Sequence, residues 1–307
     1  MPNARLHDDT VLPLMIDGEG PALLVTLGLD PARGDREPQL KIADLDPDLG
    51  GTLLQSLTEH FTVVAFDYEH HRLNQPAPRT LTPQNVAEDL LAVADAAGVG
   101  SFAYYGSSWL GLAGILLAAS SGRVTALVVG GFPPIGAPID ALHDLAVQAH
   151  RNAVARVQTT NPATPHTFGQ PQPQLQPLGG KEHALLPMRA AQARQFVAFF
   201  RALKDSNGAA EAVHRVNCPA LCFIGSQDVL PGLSGTISMA SPLLANREEL
   251  TEAGWDVHVL DGLDQPAAMQ PDVVLPLVLP WLQENLSGLD TTGAVSVGQR
   301  SGNPTSG

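Results

Sequence analysis

The chain has 307 residues, of which 44% are hydrophobic and 16% are charged, a composition that suits one globular domain with a substantial core. A core of that size needs no stabilising metal or disulfide, and we expect neither a metal nor another cofactor. The formal net charge of −14 disfavours binding to nucleic acid or to an anionic membrane surface.

The amino-terminal segment does not resemble a secretory signal. "MPNARLHDDT" is polar and contains no apolar h-region. No stretch approaches the roughly 18 uninterrupted apolar residues that a membrane-spanning helix needs. We therefore expect a soluble, cytoplasmic protein whose partner is a small-molecule substrate, and the sequence leaves its oligomeric state unknown.

Strand-like and helix-like segments alternate through residues 1–136. "VLPLMIDGEGPALLVTLG" predicts two strands joined by a turn, and "FTVVAFD", "SFAYYG" and "RVTALVVGG" are apolar throughout, as is typical of strands buried in a parallel sheet. Helices are predicted around "GTLLQSLTEH", in "LTPQNVAEDLLAVADAAGVG" and in "GLAGILLAASSG". This order predicts an α/β fold with a mostly parallel central sheet flanked by helices, of which residues 1–136 form the first part.

The alternation stops after "FPPIGAP". Helical periodicity resumes at 139–157 and 181–204, with the Pro/Gln-rich run "TTNPATPHTFGQPQPQLQPLGG" between them. We interpret 137–212 as a helical cap inserted over the edge of the sheet. Residues 213–286 then complete the core, with strands in "CPALCFIGSQD" and "WDVHVLDG" and a last helix made irregular by Pro276 and Pro280. Residues 287–307 are rich in Gly, Ser and Thr and are predicted to be a disordered tail.

The segment "FAYYGSSWLGLAG" has the strand–turn–helix context of a nucleophile elbow. In the pattern G-x-S-x-G, Gly106 leaves room for the tight turn and Ser108 is the nucleophile at its tip. The N–H of Trp109 then faces outward at a helix N-terminus, where it stabilises an oxyanion. The last glycine of the pattern is replaced by Leu110. A register with Ser107 as nucleophile fits less well, because it puts Tyr105 at the first glycine.

With this elbow in place, residues 11 to 285 resemble the α/β-hydrolase family. "LLVTLGLD" is similar to that family's oxyanion strand, and the resemblance implies that Leu29 supplies the second oxyanion N–H. "VVAFDYEHHRLN" is similar to the family's turn after the fourth strand, with His71 at a mostly structural histidine. His70 and Arg72 replace the glycines there, so we expect a bulkier loop.

The same resemblance assigns the remaining triad positions. "ALCFIGSQDVLP" matches the family's acid motif at Asp228, which would orient a histidine and stabilise its protonated form. "VLDGLDQPAAM" matches the histidine loop, but Gln265 stands at the histidine. Glutamine forms hydrogen bonds and has no useful basicity near neutral pH, so it cannot accept and return the serine proton.

Other histidines are weaker candidates for the base. His258 lies within the last predicted strand, whereas His70 lies at the correct edge of the sheet, and the predicted cap contributes further histidines: His143, His150, His166 and His183. The sequence does not choose among them. An aspartate nucleophile at the elbow, a dinucleotide fingerprint and a metal motif such as H-E-x-x-H are all absent from the sequence.

These observations predict a serine-hydrolase-like enzyme that acts on a small or medium ester, lactone or related carbonyl compound. Its site would comprise Ser108, Asp228 and Gln265, with the oxyanion donors Leu29 and Trp109, and the substrate would lie beside Trp109 and Phe132 under the cap. The second hypothesis is a non-hydrolytic protein of this fold that binds a small ligand. A third is an inactivating substitution in an otherwise ordinary hydrolase.

Overall fold

The structure is a computed structural model that describes residues 2–34, 36–159, 188–206, 208–233 and 235–287. The strands are β1 (Asn3–Arg5), β2 (Val11–Pro13), β3 (Met15–Asp17), β4 (Ala22–Thr26), β5 (Thr62–Phe66), β6 (Phe102–Ser107), β7 (Val124–Gly130), β8 (Ala220–Gly225), β9 (Val229–Gly232), β10 (Gly235–Ser238) and β11 (Trp255–Leu260). The helices are α1 (Arg36–Ile42), α2 (Leu49–Leu57), α3 (Tyr68–Asn74), α4 (Pro83–Ala97), α5 (Trp109–Ser120), α6 (Ile139–Thr159), α7 (Ala190–Ser206), α8 (Gly208–Val213), α9 (Ala240–Ala245), α10 (Arg247–Glu252), α11 (Gln265–Ala268) and α12 (Pro271–Leu286).

A central sheet of seven strands has the order β11-β8-β7-β6-β4-β5-β3. All neighbouring pairs are parallel except β3 and β5, which are antiparallel. The continuous apolar runs in the sequence correspond to β5, β6, β7 and β8, which are buried along almost their whole length. The predicted α/β fold class, with a mostly parallel sheet flanked by helices, is confirmed.

Helices cover both faces of this sheet, as the alternating side chains of β6 illustrate. Phe102 and Tyr104 pack in one core with α4 and α5. Ala103 and Tyr105, on the opposite face, pack in a second core with α2 and α12. The two cores fix the positions of the strands, so the loops at the carboxyl edge of the sheet project from a rigid base.

Several short elements differ from the sequence prediction. The predicted first strand divides at Pro13: β2 pairs with β1, whereas β3 joins the main sheet beside β5. Proline has no N–H with which to continue a strand ladder, which accounts for the break. Strands β9 and β10 form a hairpin directly after Asp228, and α12 continues through Pro276 and Pro280 where irregularity was expected.

Between β7 and β8 the described residues form helices α6, α7 and α8, and no strand is assigned among them. The boundaries 137–212 of a cap remain a prediction. The Pro/Gln-rich run lies almost wholly outside the described residues, as do His166, His183 and the predicted tail after Ser287. None of the helices that the structure describes combines the length and the apolar character needed to cross a membrane.

Candidate active site

The turn between β6 and α5 holds Ser108 in an unusual backbone conformation. Ser108 has φ 54° and ψ −134°, whereas Ser107 still belongs to β6 and pairs with Gly130. A positive φ in a residue with a side chain is strained by about 1–3 kcal/mol. The Ser108 N–H donates to the Gly130 carbonyl at 2.8 Å, which helps to hold the turn. Ser108, and not Ser107, therefore occupies the tip of the turn.

Two glycines allow the turn to close although Leu110 replaces the last glycine of the pattern. A Cβ on Gly106 would lie 2.7 Å from Tyr104 Cε1 and 2.8 Å from the Leu110 carbonyl oxygen. A Cβ on Gly111 would lie 2.9 Å from Val129 Cγ1. Gly111 thus provides the close approach of α5 to the sheet, one residue later than the pattern expects, and the buried Leu110 does not prevent it.

A cavity of about 470 Å³ lies above this turn, and Ser108, Trp109, Phe132 and Gln265 all line it. On the opposite side the cavity is covered by apolar side chains of two helices: Leu142, Leu145, Ala146 and Ala149 of α6, and Phe196 and Phe200 of α7. The volume falls in the range of small-molecule sites, and the predominance of apolar lining residues is typical of such sites. The residues predicted to surround a substrate therefore share one chamber, with the exceptions of Leu29 and Asp228.

The two proposed oxyanion donors, Leu29 and Trp109, are in segments that line this chamber. Trp109 is the first residue of α5, and Leu29 follows β4 between Gly28 and Asp30, which both line the cavity. The Leu29 side chain packs against the second core instead. No acceptor within the described residues binds the N–H of Trp109 or of Leu29. Their roles as oxyanion donors stay predictions, for which an N–H group without an acceptor is a requirement.

Asp228 is not among the residues that line the chamber, and it has an unusual carboxyl group. The residue is 1% exposed, its N–H donates to the Gly225 carbonyl at 3.0 Å, and its Oδ2 has no hydrogen-bond partner within the described residues. Burial, with a smaller contribution from the charge of Asp264, raises the pKa of Asp228 to about 7. Buried carboxylate oxygens are normally paired, so Asp228 has the surroundings of an acid whose donor is missing.

Gln265 begins α11 in the loop that packs beside the Asp228 loop. Gln227 N–H donates to the Leu263 carbonyl at 2.9 Å, and the Asp264 carboxylate caps α11 by accepting from Ala267 N–H at 3.1 Å. The Gln265 side chain lies over Gly131, whose Cβ position would be 2.9 Å from Gln265 Nε2. Within the described residues the Gln265 amide forms no hydrogen bond to Ser108 or Asp228. Gln265 thus lines the chamber but forms no hydrogen bond that connects Ser108 with Asp228.

None of the described cavity-lining residues is a histidine. His70 is exposed, and His150 Nδ1 lies 3.0 Å from the Ala190 carbonyl oxygen. His143 Nδ1 lies 3.5 Å from an oxygen of Asp144, and His258 is in β11 opposite Phe223 of β8. No described histidine therefore lines the chamber together with Ser108 and Gln265.

The segment containing His70, His71 and Arg72 is a helix, so the prediction of a bulky loop was wrong. The carboxylate of Asp67 caps α3 by accepting from His70 N–H at 2.9 Å, and this capping favours a helix over the expected loop. Arg72 is fully buried and donates to Asp8 at 2.6 Å. Its partner lies far away in sequence, so periodicity alone does not reveal this ion pair.

A buried polar cluster around Asp89 extends this pairing to the amino-terminal residues. Asp89 accepts from the Tyr68 hydroxyl at 2.6 Å and lies 2.8 Å from His7 Nδ1. The other nitrogen of His7 is 3.0 Å from the Thr80 hydroxyl. His71 Nε2 lies 2.9 Å from the Thr10 hydroxyl. These contacts hold the β1–β2 hairpin against α3 and α4, and they give His71 the structural role that the resemblance implied for it.

Four acids line the chamber, a feature that sequence reasoning missed: Asp30, Asp46, Asp67 and Glu69. Burial, together with the charge of Asp30, raises the pKa of Asp67. Burial and the charge of Asp67 also raise the pKa of Glu69, although Glu69 Oε1 accepts from Trp109 Nε1 at 3.2 Å. Among the described residues no group of three potential ligands is close enough to hold a metal ion.

Comparison with known proteins gives structural matches only. No protein-family model and no curated protein matches the chain. A carboxylesterase structure from Nitrososphaera gargenis is 16% identical, with a TM-score of 0.58 over 92% of this chain and 98% of that one. The enol-lactonase from Burkholderia xenovorans is 20% identical, with a TM-score of 0.53 over 92% and 100% of the two chains.

A third matching structure is itself described as an α/β-hydrolase. It is an α/β-hydrolase enzyme from the metagenome of sediments from the lagoon of Mar Chica, Morocco, 15% identical, with a TM-score of 0.53 over 89% of this chain and 95% of that one. Likeness at such low identity establishes architecture and not activity. The chain has the α/β-hydrolase fold.

Proposed function

We propose that this protein is a serine-hydrolase-like enzyme whose substrate is a small or medium ester, lactone or related carbonyl compound. The observation that carries the proposal is Ser108, held at positive φ at the base of a chamber of about 470 Å³. Backbone strain at a cavity-lining hydroxyl has no evident structural purpose, and it is a recognised feature of catalytic turns. The carboxylesterase and lactonase folds that resemble this one are in keeping with acyl chemistry.

The proposed reaction begins with attack of Ser108 Oγ on the substrate carbonyl carbon. The carbonyl oxygen becomes an oxyanion that accepts from the N–H groups of Trp109 and Leu29. The C–O bond to the leaving group then breaks, leaving an acyl-serine that water hydrolyses. The hydroxyl proton must reach the leaving oxygen, and Gln265 cannot carry it, so water or the substrate itself carries it slowly. Gln265 has room for an orienting role through its amide.

The second candidate is a protein of this fold that binds a small ligand without hydrolysing it. The observation that favours it is the unpartnered Oδ2 of Asp228 beside a glutamine where a base is expected. Loss of a triad base typically lowers turnover about 10⁴- to 10⁶-fold, which would leave binding as the main property of the chamber.

A fluorophosphonate probe distinguishes the two candidates, because it reacts with an activated serine whatever the natural substrate. We expect slow labelling, seen by mass spectrometry as one adduct on Ser108. Ser108→Ala should abolish the adduct, whereas Ser107→Ala, which removes the neighbouring hydroxyl of β6, should retain it. Failure to label at high probe concentration, or labelling that persists in Ser108→Ala, would contradict the hydrolase proposal; ligand binding without labelling would favour the second candidate.

A further inference from the structure

The chamber is lined by two chemically different kinds of side chain. Helices α6 and α7 contribute only apolar and aromatic side chains, including Leu145, Phe196 and Phe200. The residues that follow β4 and β5 contribute carboxylates, among them Asp67 and, on α3, Glu69. A ligand that fills this chamber therefore meets both an apolar surface and negatively charged groups.

The negative charge has no cationic side chain to balance it within the chamber. No lysine, arginine or histidine is among its described lining residues. Arg72, on the same short helix as Glu69, is directed to Asp8 and Asp89, at 2.6 Å and 3.7 Å. Burial, with a smaller contribution from a neighbouring carboxylate, raises the pKa values of Asp67 and Glu69, so their negative charge is poorly compensated in this site.

Two of these acids lie next to the groups proposed to stabilise the oxyanion. A Cβ on Gly28 would be 3.4 Å from Asp67 Oδ2, which places Asp67 beside the Leu29 turn. Glu69 accepts a hydrogen bond from the indole of Trp109. A carboxylate near a developing oxyanion opposes its formation, so these positions are unfavourable for a neutral substrate. A positive charge on the substrate would offset that repulsion.

We propose that the chamber selects a carbonyl substrate with an ammonium group at one end and an apolar group at the other. The ammonium would lie by Asp67 and Glu69, and the apolar part under α6 and α7. That the substrate is a carbonyl compound rests on the proposed function, whereas the preference for a positive charge rests on the residues that line the chamber.

The test compares the binding of two ligands that differ only in charge. One is a choline ester, and the other is its neutral carbon isostere, in which a tert-butyl group replaces trimethylammonium. Titration calorimetry uses the Ser108→Ala variant of the full chain, so that hydrolysis does not consume the ligand. We expect the choline ester to bind about tenfold more tightly or better, a modest fraction of what a close ion pair at a protein surface can provide.

Amide variants of the two acids show which carboxylate produces the preference for the choline ester. Asp67→Asn and Glu69→Gln remove one charge each and keep a hydrogen-bonding oxygen, so the helix cap and the Trp109 contact persist. Each should reduce the preference for the choline ester several-fold. Glu59→Gln is the matched control, because it removes the same charge at an exposed position outside the chamber and should leave the preference unchanged.

Equal binding of the two ligands, no measurable binding of the choline ester, or a preference that survives both amide substitutions would overturn the proposal. Turnover is scored separately with Ser108 in place. A charge preference without Ser108-dependent turnover would contradict the proposed hydrolase activity and support the proposed selectivity. Turnover without a charge preference would support the hydrolase activity and contradict the selectivity.

Discussion

At the scale of single residues, Asp228 and Gln265 are the two predicted triad positions that form no hydrogen bond with each other. Asp228 has a buried oxygen with no partner, and the Gln265 amide, which lines the chamber, forms no bond to it within the described residues. In a Ser-His-acid arrangement an imidazole N–H would fill this gap. Without it, an ionised carboxylate at Asp228 is desolvated and uncompensated, which makes folding stability depend on pH.

The sign of that dependence follows from the raised pKa. The folded chain holds the Asp228 proton up to about pH 7, whereas the unfolded chain releases it near the ordinary value of 3.8. The stabilising effect of the proton is full below that ordinary value and is lost as pH rises through about 7. Asp228→Asn should therefore raise the free energy of unfolding at pH 8 by about 2 kcal/mol, after allowing for the unpaired amide that it introduces.

Chemical denaturation of both proteins between pH 4 and pH 8 measures this difference. The gain from Asp228→Asn should shrink as pH falls, and Asp205→Asn, at an exposed carboxylate of α7, should show no such trend. A constant loss of stability at every pH would mean that the Asp228 carboxylate is favourably paired.

At the scale of elements, helix α5 can carry the elbow only because glycines bring it close to the sheet. A Cβ on Gly114 would meet the ring of Tyr104 and lie 3.2 Å from Leu127 Cδ1. Tyr104 has little freedom to move, since it is fully buried and its hydroxyl donates to the Leu110 carbonyl at 2.9 Å. The position of Ser108 thus depends on residues one and two turns further along α5.

Gly114→Ala should destabilise the fold by about 1–2 kcal/mol, because overpacking against Tyr104 outweighs the gain in helix propensity. Gly122→Ala is the control: no atom lies within 4 Å of its Cβ position, and its effect should stay within about 0.5 kcal/mol. Thermal unfolding of the two variants measures both values. Equal effects would show that α5 does not need the close approach at Gly114.

The elements also show which parts of the fold local sequence can reveal. Strand β6 and its turn were predictable because an apolar run followed by Gly106 and Ser108 dictates the local backbone. Helix α3 was predicted as a loop because its sequence resembles a glycine-rich turn. The capping of the helix by Asp67 favours the helix instead. The β9–β10 hairpin and the short helices α9 and α10 were missed, since elements of four to six residues carry little periodicity.

At the scale of the whole molecule, the chamber is assembled from segments far apart in the chain. Asp30 and Asp67 meet there because β4 and β5 are neighbours in the sheet and the loops after them converge at one edge. Asp46 reaches the chamber from the connection between α1 and α2. Sequence spacing gives no indication of this convergence. The sequence points to Ser108, Asp228 and Gln265 because each lies in its own recognisable motif, and their roles stay predictions. The missing bond between Asp228 and Gln265 depends on how two loops pack, so only the structure reveals it.

The central claim is that Gln265 occupies the position of a catalytic base in an otherwise prepared site. The most direct measurement is the hydrolysis of an activated aryl ester by Gln265→His. In the proposed triad, an imidazole there would connect Asp228 with Ser108 and complete the proton relay. We expect a gain on the order of 10²-fold or more, well within what a triad base contributes.

Ser108→Ala in the same background should erase the gain, and so should Asp228→Asn. Gln227→His, an exposed position in the neighbouring loop, adds an imidazole outside the chamber and should give none. A folded Gln265→His variant whose hydrolysis of several activated esters shows no Ser108-dependent increase would contradict the claim that Gln265 stands in a vacated base position.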